Sequence, residues 1–145
     1  MKISTKGRYG LRLMFELAYH YNKGLVPLKE IAKRQEISDK YLEQIIMRLN
    51  HAGLVKSVRG AQGGYMLAAP PEETTVEEVL TVLEGSLCVV ECIGANGVEC
   101  KNINSCPTYG IWSKINQAIQ QVVSNITLAD MVEDYLQNGS SDYVI

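Results

Sequence analysis

The chain has 145 residues, 46% of them hydrophobic and 21% charged, with a formal net charge of −2. That length supports one buried core, or a small domain with an extension. With no run of eighteen apolar residues, a membrane-spanning helix is excluded. Met1 to Arg12 is basic and broken by Gly7 and Gly10, so no signal peptide is expected and a cytoplasmic protein is.

Ser4 can cap a first helix running to about Tyr21, with Leu13, Met14, Leu17, Ala18 and Tyr21 on its buried side. The segment VPLKEIAKRQEIS places Leu28, Ile31, Ala32 and Ile37 on one side of a short second helix ending near Gln35. Ser38 is an N-cap for a third helix, whose apolar stripe is Tyr41, Leu42, Ile45, Ile46 and Leu49. Gly53 ends it as a glycine just past a helix C-terminus does. Leu54 to Val58 then alternates like a half-buried strand, and Tyr65 to Leu67 can pair with it across GAQGG. Two short helices, a tight turn and a hairpin tipped with Arg59 make a winged helix-turn-helix layout, which points to duplex DNA.

Beyond Ala69-Pro70-Pro71-Glu72-Glu73, the expected boundary, Thr75 caps a helix bearing Val76, Val79, Leu80 and Leu83. A long helix is predicted from Cys106 to Asn125, with Pro107 in its first turn. Its stripe of Ile111, Ile115, Ala118, Ile119, Val122 and Ile126 reads as a dimerisation face; packing against the first helix is the intramolecular alternative. Thr127 caps a last helix with Leu128, Met131, Val132 and Leu136. The expected fold is therefore mainly α: a winged helix-turn-helix domain with a two-stranded β wing over 1–69, then a cysteine-bearing loop and helical dimerisation region over 70–145.

Charge follows the same division. Residues 1–69 hold 12 Lys and Arg against 5 Asp and Glu, a formal +7, whereas residues 70–145 hold 2 against 11, a formal −9. A basic half suits a phosphate backbone, whose counterions it releases on binding; solvated faces that merely segregate are the plainer reading. Lys40 and Arg48 are candidates for phosphate contact, Glu43 and Gln44 for base edges, and Arg59 for the minor groove.

Cys88, Cys92, Cys100 and Cys106 crowd into nineteen residues, with three, seven and five residues between them. Such clustering in a cytosolic chain suits metal or redox chemistry better than structural disulfides. The spacing lacks the paired short knuckles of most structural zinc sites, which favours an iron–sulfur cluster over zinc, unligated redox thiols or simple small hydrophobes. Catalysis is not expected: there is no Ser-His-Asp set, and GAQGG lies in a hairpin rather than between a strand and a helix.

MKISTKGRYGLRLM, the YLEQ helix, LVKSVRGAQGGY, the helix after Thr75, the three later cysteines and NITLADMVEDYL together resemble one family. It is the bacterial winged-helix regulators that include the iron–sulfur-cluster assembly regulator, the nitric-oxide-sensing repressor and the master regulator of cysteine metabolism. The resemblance implies a homodimeric regulator, a repressor by expectation, on palindromic operator DNA. Its recognition-helix positions would be Ser38, Tyr41, Glu43 and Gln44, its wing arginine Arg59, and its cluster ligands Cys92, Cys100 and Cys106. Two positions depart from the pattern: Tyr109 stands where the assembly regulator has a ligand histidine, and Arg8 where the nitric-oxide sensor has an acidic ligand. The fourth ligand therefore stays open, with Cys88 a candidate and His20 and His51 weaker ones. So does the cluster type, with 2Fe–2S preferred to 4Fe–4S. The chain ends and LEGSL also resemble the cysteine-metabolism regulator, which lacks the cysteine cluster and senses through a partner enzyme.

Overall fold

A computed structural model describes residues 1–94 and 100–142, with side chains as far as residue 139. The described elements are α1 (Thr5–Tyr19), α2 (Leu28–Gln35), α3 (Asp39–His51), β1 (Val55–Val58), β2 (Gly64–Leu67), α4 (Val76–Glu84), α5 (Tyr109–Asn125) and α6 (Leu128–Asp142). Single 3-10 turns lie at Pro71–Glu73, Glu91–Ile93 and Ile103–Ser105.

The caps form where short polar residues precede apolar periodicity. Ser4 accepts from the Gly7 N–H and Ser38 from the Tyr41 N–H. Thr75 and Glu78 form a reciprocal capping box at α4. Thr127 and Asp130 repeat the device at α6, the Asp130 N–H donating to Thr127 Oγ1 at 3.1 Å and the Thr127 N–H to the Asp130 carboxylate at 2.9 Å. Those bonds lower the Asp130 pKa, the backbone one foremost. At the end of α3, Gly53 has φ 81°, and the Gly53 and Leu54 N–H groups donate to Asn50 and Leu49 carbonyls, a Schellman closure.

One buried cluster joins Leu13, Met14 and Leu17 of α1 with Ile31, with Leu42, Ile45, Ile46 and Leu49 of α3, and with Val55 and Leu67 of the hairpin. Val79, Leu83 and Leu128 belong to the same cluster, so α4 and the start of α6 close the core that the winged helix begins. The strands pair antiparallel from Val55↔Leu67 to Val58↔Gly64. Val26 adds a third rung, exchanging two 2.9 Å bonds with Tyr65.

Three expectations need correcting in detail. First, α1 stops at Tyr19, two residues early, because the chain turns at His20 and reaches a left-handed backbone at Asn22. Second, α5 starts at Tyr109 rather than Cys106. Cys106 precedes a proline, which disfavours helical backbone there, and it is extended with ψ 117°. Third, the first strand's alternation gives way to burial of Val55 alone: Lys56, Ser57 and Val58 are exposed because the hairpin projects past the core.

Helix α6, not α5, lies along α1, with Phe15 and Tyr135 ring centroids 5.0 Å apart. Helix α5 packs on α4, where the Gln120 amide donates to the Glu77 carboxylate. No residue of α5 is buried, and Ile111 and Val122 are 56% and 57% exposed.

Candidate nucleic-acid interface and cysteine segment

Helix α3 is fixed by its apolar side and presents its other side to solvent. Leu42, Ile45, Ile46 and Leu49 are buried, whereas Lys40, Glu43, Gln44, Met47 and Arg48 are exposed. Ser38 caps the helix, so its hydroxyl is engaged with the Tyr41 N–H at 3.2 Å. Tyr41 is only half-buried: its ring meets Tyr9 of α1 edge-on at 5.7 Å, and the Arg12 guanidinium lies 5.6 Å from the Tyr9 centroid. This stack ties α1 to the start of α3. It escapes sequence reading because the two rings are distant in the chain.

Helix α2 is locked to α1 by a buried carboxylate, also unforeseen. Glu16 accepts from Gln35 Nε2 at 2.7 Å and Arg34 Nε at 3.1 Å, and Arg34 Nη2 sits 3.0 Å away. A charge in that apolar setting requires such partners. The signal for it is Glu16 itself, a charged residue within the apolar run LMFELAY.

Arg59 stands exposed at the turn between β1 and β2, where a side chain at Gly63 would overlap the Val58 carbonyl oxygen. Among the described residues, Lys40, Arg48 and Arg59 enter no ion pair; the ion pairs there join Glu16 to His20 and Arg34, and Glu30 to Arg34. Unpaired cations on an exposed helix face and hairpin tip suit a polyanion.

The cysteines lie in the segment between α4 and α5. All four are part exposed, and none is in a disulfide. Cys92 sits in the 3-10 turn Glu91–Ile93, the Cys100 carbonyl accepts from the Ile103 N–H, and Cys106 precedes the turn into α5. Cys88 Sγ packs against Gly94. The Thr108 hydroxyl, 3.4 Å from Cys106 Sγ, lowers that thiol's pKa, with further help from backbone groups of Thr108 and Tyr109. Part of the predicted wrapping loop, residues 95–99, lies outside the described residues. Among the described residues, no three His, Cys, Asp or Glu side chains are gathered closely enough to hold a metal ion. The donor set nonetheless fits iron–sulfur chemistry, since three free thiols on one short segment supply the soft ligands it needs.

The family model described as Rrf2, an iron-dependent transcriptional regulator, matches residues 3–134. The chain belongs to the Rrf2 family. This Rrf2 chain is 41% identical over 131 residues to the HTH-type transcriptional regulator CymR of Bacillus subtilis, covering 90% of this chain and 89% of that one. It is 40% identical over 134 residues to the HTH-type transcriptional regulator IscR of Serratia proteamaculans, covering 92% and 80% respectively. Solved structures agree in fold. That of CymR, the global cysteine regulator of B. subtilis, superposes with TM-score 0.80 at 41% identity, covering 92% of this chain and 97% of that one. That of T. potens IscR gives 0.75 at 47% identity, with 92% and 88% covered. The winged-helix fold is thereby established, and the chain is a DNA-binding transcriptional regulator rather than an enzyme.

Proposed function

We propose that this Rrf2 protein is a homodimeric, cytoplasmic repressor that binds palindromic operator DNA and responds to the occupancy of an iron–sulfur cluster. Residues 1–69 form the DNA-contacting part. Lys40 and Arg48 meet phosphates, with Ser38 and Tyr41 beside them; Glu43 and Gln44 face base edges, and Arg59 enters the minor groove. The exposed stripe on α5 supports the dimer, because apolar residues aligned on one helix face call for a covering surface. A two-fold assembly reads two half-sites.

Cys92, Cys100 and Cys106 would hold the cluster, preferentially 2Fe–2S, with the fourth position open. When bound, the cluster would supply redox and small-oxidant sensitivity that protein groups lack. The observation that carries this reading is the set of free, part-exposed thiols between a helix packed on the DNA-binding core and the helix bearing the dimer stripe. Absorbance of anaerobically purified protein tests the cluster, and gel-shift of its own promoter with and without oxidant tests the regulation. A visible band and oxidant-dependent retardation are expected.

The likeness to CymR supports a second reading: a regulator of cysteine metabolism that acts through a partner enzyme without a cluster. Colourless protein that still retards its promoter would select it.

A further inference from the structure

Helix α4 ends in a carboxylate whose position its own helix disfavours. Glu84 is the last residue of α4, where the helix dipole is negative. Its Oε1 atom instead reaches the opposite pole of another helix, the first turn of α1. There it accepts from the Ser4 N–H at 2.9 Å, the Ser4 hydroxyl at 2.5 Å and the Gly7 N–H at 3.1 Å. Three donors on one oxygen, two of them backbone groups at a helix N-terminus, make a directional anchor. Gly7 permits it, because a side chain there would overlap Glu84 Oε1.

What flanks the anchor gives it meaning. Gly85 follows at once with φ 82°, and Cys88 opens the cysteine segment three residues later. On the α1 side, Tyr9 lies two residues past Gly7 and packs edge-on against Tyr41 of α3. A short path of bonded and packed groups thus runs from the cysteine segment through Glu84, Ser4 and Gly7 to Tyr9 and the start of the recognition helix.

We propose that Glu84 is a positioning residue for DNA binding: its carboxylate sets the first turn of α1 according to the state of the cysteine segment, and Tyr9 passes that setting to Tyr41. The proposal rests on the DNA-binding and cysteine-sensing reading above, but its test separates the two. A spatial path alone does not show coupling; a difference between two states does.

The experiment uses the full-length dimer in three forms: cluster-loaded, cluster-free, and cluster-free with its thiols alkylated by N-ethylmaleimide. Affinity for a duplex of its own promoter and amide exchange at Ser4 and Gly7 are measured in each, for the wild type, Glu84→Ala and Glu84→Gln. In the wild type, Ser4 and Gly7 protection should differ between forms, and operator affinity should differ by about tenfold, within the usual range of coupling. Glu84→Ala should bring the affinities of the forms to within about twofold of each other while leaving the loaded protein's absorbance spectrum unchanged. Glu84→Gln, which keeps an acceptor oxygen, should restore part of the difference. Equal Ser4 and Gly7 protection in every wild-type form overturns the proposal, and so does an equal loss of affinity in all forms of Glu84→Ala. A colourless wild type overturns the cluster reading alone, since the alkylated pair still tests Glu84. A wild type that does not retard its promoter overturns the operator reading alone, since amide exchange needs no DNA.

Discussion

Arg59 and Lys40 are both exposed cations, but their surroundings assign them different work. Arg59 rides a narrow hairpin tip, where a guanidinium can enter a minor groove that is most negative where narrowest. Arg59→Ala is expected to weaken specific operator binding by about 1–3 kcal/mol, read as a Kd ratio at fixed salt. Lys40 lies in the first turn of α3 and is placed to meet phosphate. Lys40→Ala should therefore lower binding on every sequence and reduce the magnitude of the log K against log salt slope by about 0.9. Glu43 sits three residues on, on the exposed side. A carboxylate there repels phosphate and gains only where a base edge donates, so Glu43→Ala should raise affinity for mismatched sites relative to the operator. These roles follow from residue type and helix position, which a sequence carries. The Tyr9–Tyr41 stack and the buried Glu16 pair with Arg34 do not, because each depends on how two helices cross.

Helix boundaries follow their caps, and the caps are local chemistry: Ser4, Ser38, Thr75 and Thr127 each precede the helix their spacing predicted. The start of α5 departed from expectation because proline acts on the residue before it, moving the boundary past Cys106. Closeness between elements is less legible. Gly10 lies inside α1, where glycine costs about 1 kcal/mol relative to alanine, yet a side chain there would overlap Leu83 Cδ1 in the core. Overpacking a buried site costs about 1–3 kcal/mol. With Leu83 only 2% exposed, the packing term should win, and Gly10→Ala should lower the thermal midpoint despite better helix propensity. On α5 the argument runs the other way: Val122 is buried against nothing in its own chain, so Val122→Asp should leave the monomer's fold intact by circular dichroism. The same substitution should shift the sedimenting species from dimer to monomer, because a charge in a closed apolar seam lacks a partner.

Across the whole molecule, α4 is the element that everything meets. Its first turn is tied to the α5–α6 junction, where the Val76 N–H donates to the Ile126 carbonyl at 2.8 Å and the Leu128 N–H to the Thr74 carbonyl at 2.9 Å. Its flanks pack on α1, α3 and α5, and its last residue opens into the cysteine segment. The charge reversal near Ala69 marks where DNA-facing surface gives way to the rest, but charge reports surface rather than core, so the burial of Val79, Leu83 and Leu128 with Leu13 could not be read from it. This arrangement sets what loss of a thiol should do. Cys92, Cys100 and Cys106 are part exposed and contribute little to the buried cluster, so alanine at each should leave the unfolding midpoint of the cluster-free protein within experimental error. Each should instead abolish the visible absorbance of anaerobically purified protein, since a missing thiolate leaves an iron site open to solvent. Cys88 is the discriminating position: it lies against Gly94, two residues past Cys92, close enough in the chain to serve the same centre. A Cys88→Ala protein as colourless as Cys92→Ala would make Cys88 the fourth ligand, and an unchanged spectrum would rule it out. Retention of the band in any one of the Cys92, Cys100 or Cys106 variants would remove that residue from the ligand set, and retention in all three would place the chain with the regulators that sense through a partner.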